Sequence, residues 1–296
     1  MALYVQTNTS SINSQRMLAR STRQLDTSYE RLSSGLRINS AKDDAAGLQI
    51  SNRMASQING LTQGNRNAND GISMCQVTEG ALDEVTSMLQ RIRTLAIQSA
   101  NGTNSSAERT AINEEVQQLI KEVRRVGTDT SYGGNLKILG SGVGSTVFQV
   151  GSNAYQTISL TMKSLSKLVT VTASVKIPNS RGTTAATIDP NTTLSNMTVT
   201  SADDSQKTIA FMSEIIRQVD SYRAELGAVQ NRMESTISNQ ENVIENVSDA
   251  RSRIRDVDYA VETANMTQQS IIQQASTTIL TQANQKTQIA MNLLQG

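Results

Sequence analysis

The residue types that most often do chemistry are scarce or poorly placed in this chain of 296 residues. It has no histidine, which removes the commonest general base and the commonest metal ligand. The single cysteine, Cys75, lies in an apolar stripe without a base to activate it, so we predict a small buried hydrophobe. Asp256 and Asp258 are two positions apart in a helical pattern beside Arg253 and Arg255, so their carboxylates should point in different directions. Because the sequence also lacks a nucleotide-binding glycine motif and a cluster of metal ligands, we predict neither an enzyme nor a cofactor.

The overall composition argues against one compact globular core. The formal net charge is +1, so no global field would attract nucleic acid or an anionic membrane. The chain has no tryptophan and two phenylalanines, although aromatic side chains usually supply much of a buried core. It has no run of about 18 apolar residues that would span a membrane. Residues 1–7 also lack the basic start and apolar run of a secretory signal, so these features alone predict a cytoplasmic chain.

Apolar residues spaced alternately by three and four positions predict long helices. The first helix carries Leu18, Leu25 and Leu32 in one stripe. It should end at Gly35, because glycine readily adopts the left-handed conformation that closes a helix. Ser40 is expected to cap the second helix, which runs for roughly fifty residues on the same periodicity.

The remaining pattern predicts a third helix, a short β region and a return to helix. Ser105 and Glu108 form a capping-box pattern for the third helix, which should end near Gly127. Glycines then punctuate short runs of β-branched residues. From about Asp203 an apolar stripe returns and persists to Ala283, as in a coiled coil or stacked helices. We therefore predict a mainly α fold, a long antiparallel helical bundle or coiled coil with a small β-hairpin region and a short variable outer segment.

The two ends of the chain are unusual because they are almost uncharged. Residues 1–15 carry no charged side chain, and residues 263–296 carry only Lys286. An exposed helix face is normally rich in Lys and Glu, whereas amides and hydroxyls can be buried between subunits without desolvating charge. We therefore expect both ends to pack inside a polymer. Disordered polar tails are the alternative, and the apolar stripe that persists through both ends disfavours it.

Two segments at opposite ends of the chain carry a family resemblance. Residues 32–48, LSSGLRINSAKDDAAGL, resemble the N-terminal signature of bacterial flagellins. Residues 252–260, SRIRDVDYA, followed by Met266 and the run QANQ at 282–285, resemble the C-terminal signature. The two signatures occur in the order that the family requires, which makes a chance match improbable.

The resemblance implies an exported structural subunit that self-assembles into the helical flagellar filament used for motility. Type III export would make the chain secreted, as part of the extracellular flagellum, in place of the cytoplasmic expectation. The implied partners are further copies of the chain, the flagellar cap, the hook-junction proteins and an export chaperone, with no nucleic acid and no membrane span. The implied parts are a terminal coiled coil in the filament core, residues 1–40 with 256–296; a helical bundle with a β-hairpin, residues 41–162 with 204–255; and the short variable outer segment, residues 163–203.

The stripe and the resemblance together assign two sets of contact residues. The filament-core interface should use Leu18, Leu25, Leu32, Val257, Val261, Ala264, Ile271, Ala275, Ile279, Leu293 and Leu294. Protofilament contacts, and recognition by the Toll-like flagellin receptor of vertebrates, should use Gln90, Arg91, Leu95, Gln98 and Glu115. Because Arg91, Leu95 and Gln98 are spaced by four and three, we expect them to share one helical face.

Two other readings remain open from the sequence. A hook–filament junction protein of the flagellin-like family would have similar ends, and the abundance of the chain in sheared filaments would distinguish it. An intracellular coiled-coil scaffold would keep stable helical termini in dilute solution, whereas a filament subunit would not.

Overall fold

The computed structural model describes residues 7–134, 136–140, 142, 144–171, 175–178, 184–188 and 192–295, and it describes only the backbone of residues 175–178, 184–188 and 286–295. The helices are α1 Thr9–Ser34, α2 Ala45–Ala100, α3 Ser106–Asp129, α4 Leu165–Leu168, α5 Ala202–Arg255 and α6 Tyr259–Gln295. The strands are β1 Ser131–Tyr132, β2 Leu136–Lys137, β3 Ser145–Gln149, β4 Thr157–Thr161, β5 Thr170–Val171, β6 Val175–Pro178, β7 Thr184–Ile188 and β8 Thr192–Thr193. The predicted mainly α fold is confirmed.

The chain divides into two compact units. Residues 1–58 and 243–296 form the first, which we call the terminal unit, and residues 59–242 form the second, which we call the helical unit. Within the terminal unit the main contact is between α1 and α6. The helical unit holds the apolar core and the β strands.

The ends of α1 and α2 follow from local side chains. Gly35 closes α1 in the left-handed conformation, φ 72°, and its N–H donates to the Arg31 carbonyl at 2.9 Å, as predicted. The predicted cap at Ser40 is wrong, because α2 begins at Ala45 and Asp44 Oδ1 accepts the N–H of Gly47 at 2.9 Å. Ser40 instead donates its N–H and hydroxyl to Asp43 Oδ2, and this bonding lowers the pKa of the Asp43 carboxyl.

The long C-terminal stripe, predicted to form a coiled coil or stacked helices, is divided between α5 and α6. The carboxylate of Asp258 starts α6 by accepting the N–H groups of Ala260 and Val261 at 2.9 and 3.2 Å. This break lies beside the one that follows α1. Leu36 and Asp256 form an antiparallel β-bridge, and the N–H of Val257 donates to the Gly35 carbonyl at 3.1 Å. The two chain reversals are thereby held together by backbone hydrogen bonds.

The helical unit is built around α2, α3 and α5. The capping box is confirmed, since the Ser105 and Glu108 side chains each accept the other's backbone N–H at the start of α3. Cys75 is fully buried in the core, and the loss of solvent raises the pKa of its thiol to about 11, as expected of a structural cysteine. The largest fully buried side chains of the core are Tyr222, Phe211, Met74, Leu82, Leu89 and Ile92.

The predicted β-hairpin is formed by β3 and β4, with Ser145 opposite Thr161 and Gln149 opposite Thr157. Alternate residues of β4 face the core, so Ile158 and Leu160 are buried while their neighbours are exposed. The hairpin packs close to α2 at Gly64, where a Cβ atom would lie 1.9 Å from the Val150 carbonyl oxygen. A glycine is therefore required at this helical position.

Both flanks of the predicted outer segment, residues 163–203, contribute side chains to the apolar core of the helical unit. These side chains are Leu165, Leu168, Val169, Val171, Leu194 and Val199. Between these flanks β5 pairs with β8, so that Val171 lies opposite Thr192. The rest of the predicted segment, residues 172–191, lies outside the residues whose side chains are described.

Candidate assembly surfaces

In the terminal unit α1 and α6 meet along rows of residues with coiled-coil spacing, which we call the seam. Along each helix, one row of buried and half-buried positions alternates by three and four. On α1 they are Ser11, Ser14, Leu18, Ser21, Leu25, Ser28 and Leu32. On α6 they are Glu262, Met266, Gln269, Gln273, Ser276, Leu280 and Ala283. More than half of these positions are polar, which is unusual for the inner row of a coiled coil.

Hydrogen bonds between the two helices satisfy several of these polar side chains, whereas the Ser14 hydroxyl donates to the Ser10 carbonyl of its own helix at 2.9 Å. The hydroxyl of Ser21 donates to the Gln269 carbonyl at 2.8 Å, and the hydroxyl of Ser28 donates to Glu262 Oε1 at 2.5 Å. Glu262 is itself buried, with Arg31 Nη1 at 3.6 Å from its other carboxylate oxygen. Since a net hydrogen bond contributes only about 0.5–1.5 kcal/mol, these bonds give α1 and α6 a register but add little stability.

The apolar row predicted for α6 lies on a different face from the seam. Val261, Ile271 and Ile279 are 56%, 61% and 55% exposed, and Ala264 and Ala275 are exposed as well. We call these five residues the outward row. Small polar residues of the seam, and not this row, form the contact with α1 within the chain. Within the described residues, nothing in the chain covers the outward row.

The other predicted filament-core residues are placed as follows. Leu25 is buried in the seam, and Leu18, Leu32 and Val257 are half-buried. Leu293 and Leu294 lie outside the residues whose side chains are described. The hydroxyl-rich seam was missed from the sequence, although serines at 11, 14, 21 and 28 repeat with the heptad spacing that would have indicated it.

The second predicted surface lies on α2 and α3 of the helical unit. Arg91 donates from Nε and Nη2 to Glu115 Oε1 at 3.0 and 2.7 Å, so the two predicted residues form one exposed ion pair. Gln90 and Gln98 are exposed beside it. Leu95 is 3% exposed and belongs to the apolar core, so it does not share an accessible face with Arg91 and Gln98 as expected. Its three- and four-residue spacing places it at the inner border of that face.

Two kinds of feature are absent from the part of the chain that the structure describes. No group of three or more Cys, Asp and Glu side chains among them could hold a metal ion. None of the helices in that part of the chain combines the length and the apolar character needed to cross a bilayer.

Comparisons with known protein families give matches at both ends of the chain. Residues 5–140 match the model of the bacterial flagellin N-terminal helical region, and residues 209–294 match that of the C-terminal helical region. The first match contains α1, α2, α3 and the beginning of the β region, and the second contains most of α5 and α6. Together they cover well over half of the chain.

Curated relatives match along the whole length. Polar flagellin F of Vibrio parahaemolyticus is 38% identical, with 99% of this chain and 100% of the relative covered. Flagellin A of Vibrio cholerae is also 38% identical, with 100% of both chains covered. Among solved structures, one described as a flagellar hook-associated protein from Vibrio parahaemolyticus has a TM-score of 0.57 at 12% identity, covering 72% of this chain and all of the other, which shows a shared fold alone. With both terminal regions present and full-length relatives at this identity, the chain belongs to the bacterial flagellins, the structural subunits of the flagellar filament.

Proposed function

We propose that this flagellin polymerises through its paired terminal helices, with the outward row of α6 buried by neighbouring copies in the filament core. The observation that carries the proposal is the division of α6 into two faces. One face pairs with α1 through hydroxyls and amides, and the other presents valine, isoleucine and alanine to solvent. An extended apolar row left exposed on a single chain is typical of a protein–protein contact.

The energetics favour folding of the ends on assembly. Ordering a backbone costs about 1–2 kcal/mol per residue, and the polar seam offsets little of this cost. Fully burying one Val or Ile side chain contributes about 1.5–3 kcal/mol. Several such residues of the outward row, buried together by neighbouring copies, supply the stabilisation that the isolated pair lacks. The row therefore couples folding of the ends to polymerisation.

A pair of asparagine substitutions on α6 tests this proposal. Ile271→Asn removes an apolar side chain from the outward row, whereas Gln274→Asn changes an exposed polar residue of the same helix. We expect the first variant to polymerise poorly or not at all and the second to polymerise like the parent, measured by sedimentation and electron microscopy. Normal filaments from Ile271→Asn would overturn the role of the outward row.

The cellular setting is proposed on the strength of family membership. We propose export through the flagellar type III apparatus to the extracellular filament, with an export chaperone, the cap and the hook-junction proteins as further partners. Membership in a family of structural subunits favours a non-catalytic role. A junction protein remains the alternative, but the likeness to a hook-associated structure at 12% identity concerns the fold alone, whereas the full-length relatives are flagellins.

A second role is proposed for the exposed pair Arg91 and Glu115, with Gln90 and Gln98 beside it. The guanidinium presents a planar group with several donors on an accessible face of α2, which suits recognition by the Toll-like flagellin receptor. Arg91→Ala should reduce the potency of the monomer in a receptor reporter assay while leaving its helicity unchanged. Equal potency of parent and variant would remove Arg91 from the contact.

A further inference from the structure

The loop between β3 and β4 is a rigid projection of the helical unit. The N–H groups of Val150 and Gly151 both donate to the Gln156 carbonyl, at 3.0 and 3.1 Å. At its base the loop is fixed to two helices, since Gln240 on α5 donates to the Val150 carbonyl at 2.7 Å and Asn67 on α2 donates to the Gln149 carbonyl at 2.8 Å. Towards the tip, Gln149 Nε2 donates to the Asn153 carbonyl at 2.6 Å and the Asn153 N–H donates to Gln156 Oε1 at 3.1 Å, so hydrogen bonds order the loop beyond its base.

Tyr155 at this tip is an exception in two independent respects. Its φ is +65°, and among the described residues it is the one non-glycine residue with a positive φ. Its side chain is 96% exposed, so it adds nothing to the apolar core. A large aromatic residue in a strained backbone conformation usually has a function that offsets the strain. An exposed, pre-oriented tyrosine is the kind of side chain that anchors a protein–protein contact.

A cavity elsewhere in the same unit has the chemistry that would receive a phenol ring. Its volume is about 310 Å³, and it lies between the end of α3, the short helix α4 and the residues after β8. Hydroxyls and the exposed guanidinium of Arg124 stand at its rim, where a cation can lie against a ring and polar groups can bind a phenolic hydroxyl. Its buried floor is apolar and consists of Val123, Leu139, Leu165, Val169 and Leu194.

We propose that Tyr155 of one subunit inserts into this cavity of a neighbouring subunit in the filament. The inference rests on the proposed polymerisation, and it names a specific contact that the terminal helices do not make. An open helical polymer needs heterologous contacts, in which two different surfaces of the same chain meet. The helical unit carries surfaces of both kinds, namely the exposed Tyr155 on its loop and the cavity of about 310 Å³.

Replacement of Tyr155 separates this role from a structural one. Glycine and asparagine both tolerate a positive φ, so Tyr155→Gly and Tyr155→Asn should leave the thermal midpoint of the monomer unchanged or higher. Both should raise the critical concentration for polymerisation by roughly tenfold or more, while Tyr155→Phe, which keeps the ring, should stay close to the parent. An unchanged critical concentration for both Gly and Asn variants would overturn the proposal.

Cross-linking identifies the receiving surface. The double variant carries Tyr155→Cys together with Ser166→Cys at the cavity rim, and its filaments are seeded by parent subunits. A short thiol cross-linker should then produce covalent ladders from these filaments. In dilute solution the same treatment should leave the variant monomeric. The buried native Cys75 should not react. Absence of ladders in filaments that contain the variant would overturn the assignment of the cavity. Failure of the parent chain to polymerise would instead contradict the proposed function, so the two failures are distinguishable.

Discussion

The seam of the terminal unit and the core of the helical unit are both contacts between long helices, but they bury different side chains. The core holds Phe211, Tyr222 and a large set of aliphatic residues. The seam buries four serines of α1 and a glutamate and a serine of α6. The apolar core of the helical unit is therefore buried within one chain, whereas the most apolar row of α6 has no partner among the described residues. The difference indicates that the helical unit is stable in the isolated chain, whereas the terminal unit is stabilised by assembly.

The largest expected effect is that of a C-terminal truncation, which should impair assembly by the terminal unit and leave the helical unit folded. Removing residues 260–296 takes away nearly all of α6, and with it the partner of α1, but no residue of the apolar core. We expect polymerisation to be abolished while the helical unit keeps its cooperative thermal transition by circular dichroism. Filaments of the truncated chain, seen by electron microscopy, would show that the terminal pair is not needed.

Amide exchange on monomer and filament should report the same contrast residue by residue. We expect residues 1–35 and 260–296 to exchange fast in the monomer and to be protected in the filament, because the seam alone does not repay the ordering of the backbone. Residues in the core of the helical unit should be protected in both states. Protected termini in the dilute monomer would instead favour a self-sufficient coiled coil.

Alanine substitutions in the two contacts should differ by several-fold in their cost. Leu226→Ala leaves a cavity at a fully buried core position and should lower the free energy of unfolding of the monomer by about 2–5 kcal/mol. Ser21→Ala removes one hydrogen bond of the seam and should cost about 1 kcal/mol or less. Urea denaturation of the two variants measures both free energies of unfolding. A comparable loss of stability for Ser21→Ala would show that the seam contributes as much as the core.

Two glycines of α2 should respond in opposite directions to the same change. Gly64→Ala places a Cβ atom against the Val150 carbonyl, so the hairpin must move and stability should fall by about 1–3 kcal/mol. Gly80→Ala meets nothing within 4 Å and should raise helix stability by about 0.5–1 kcal/mol. Thermal unfolding measures the sign of each effect. Tolerance of Gly64→Ala would show that the hairpin is not tightly fixed on α2.

Excision of residues 172–191 should have the smallest effect on folding and polymerisation. Val171 pairs with Thr192, so a short Gly-rich turn can replace residues 172–191 without separating β5 from β8. We expect this variant to fold and polymerise like the parent. The matched replacement of residues 165–203 removes six core side chains and should not fold. Loss of filaments by the shorter excision, with the monomer folded, would assign those residues a role in assembly.

Much of the fold was predictable because it depends on local chemistry. Gly35 ends α1, the box of Ser105 and Glu108 starts α3, and the long three–four stripes form helices, since capping and periodicity act within a few residues. The apolar stripe alone does not show the break before α6, because it continues through Asp258, and the division between residues 255 and 256 came from the family resemblance. The buried position of Leu95 was also missed, since spacing places a residue near a face without setting its depth.

The sequence by itself determined that both ends form helices with an uncharged surface and an apolar stripe, because residue type and spacing decide these properties. Only the tertiary structure decided which face of α6 meets α1. Two rows with nearly the same period run along this helix, and the polar one, not the apolar one, forms the contact within the chain. Apolar periodicity indicates that a face is to be buried, but it does not say by which partner. In a subunit of a polymer the partner can be another copy of the chain.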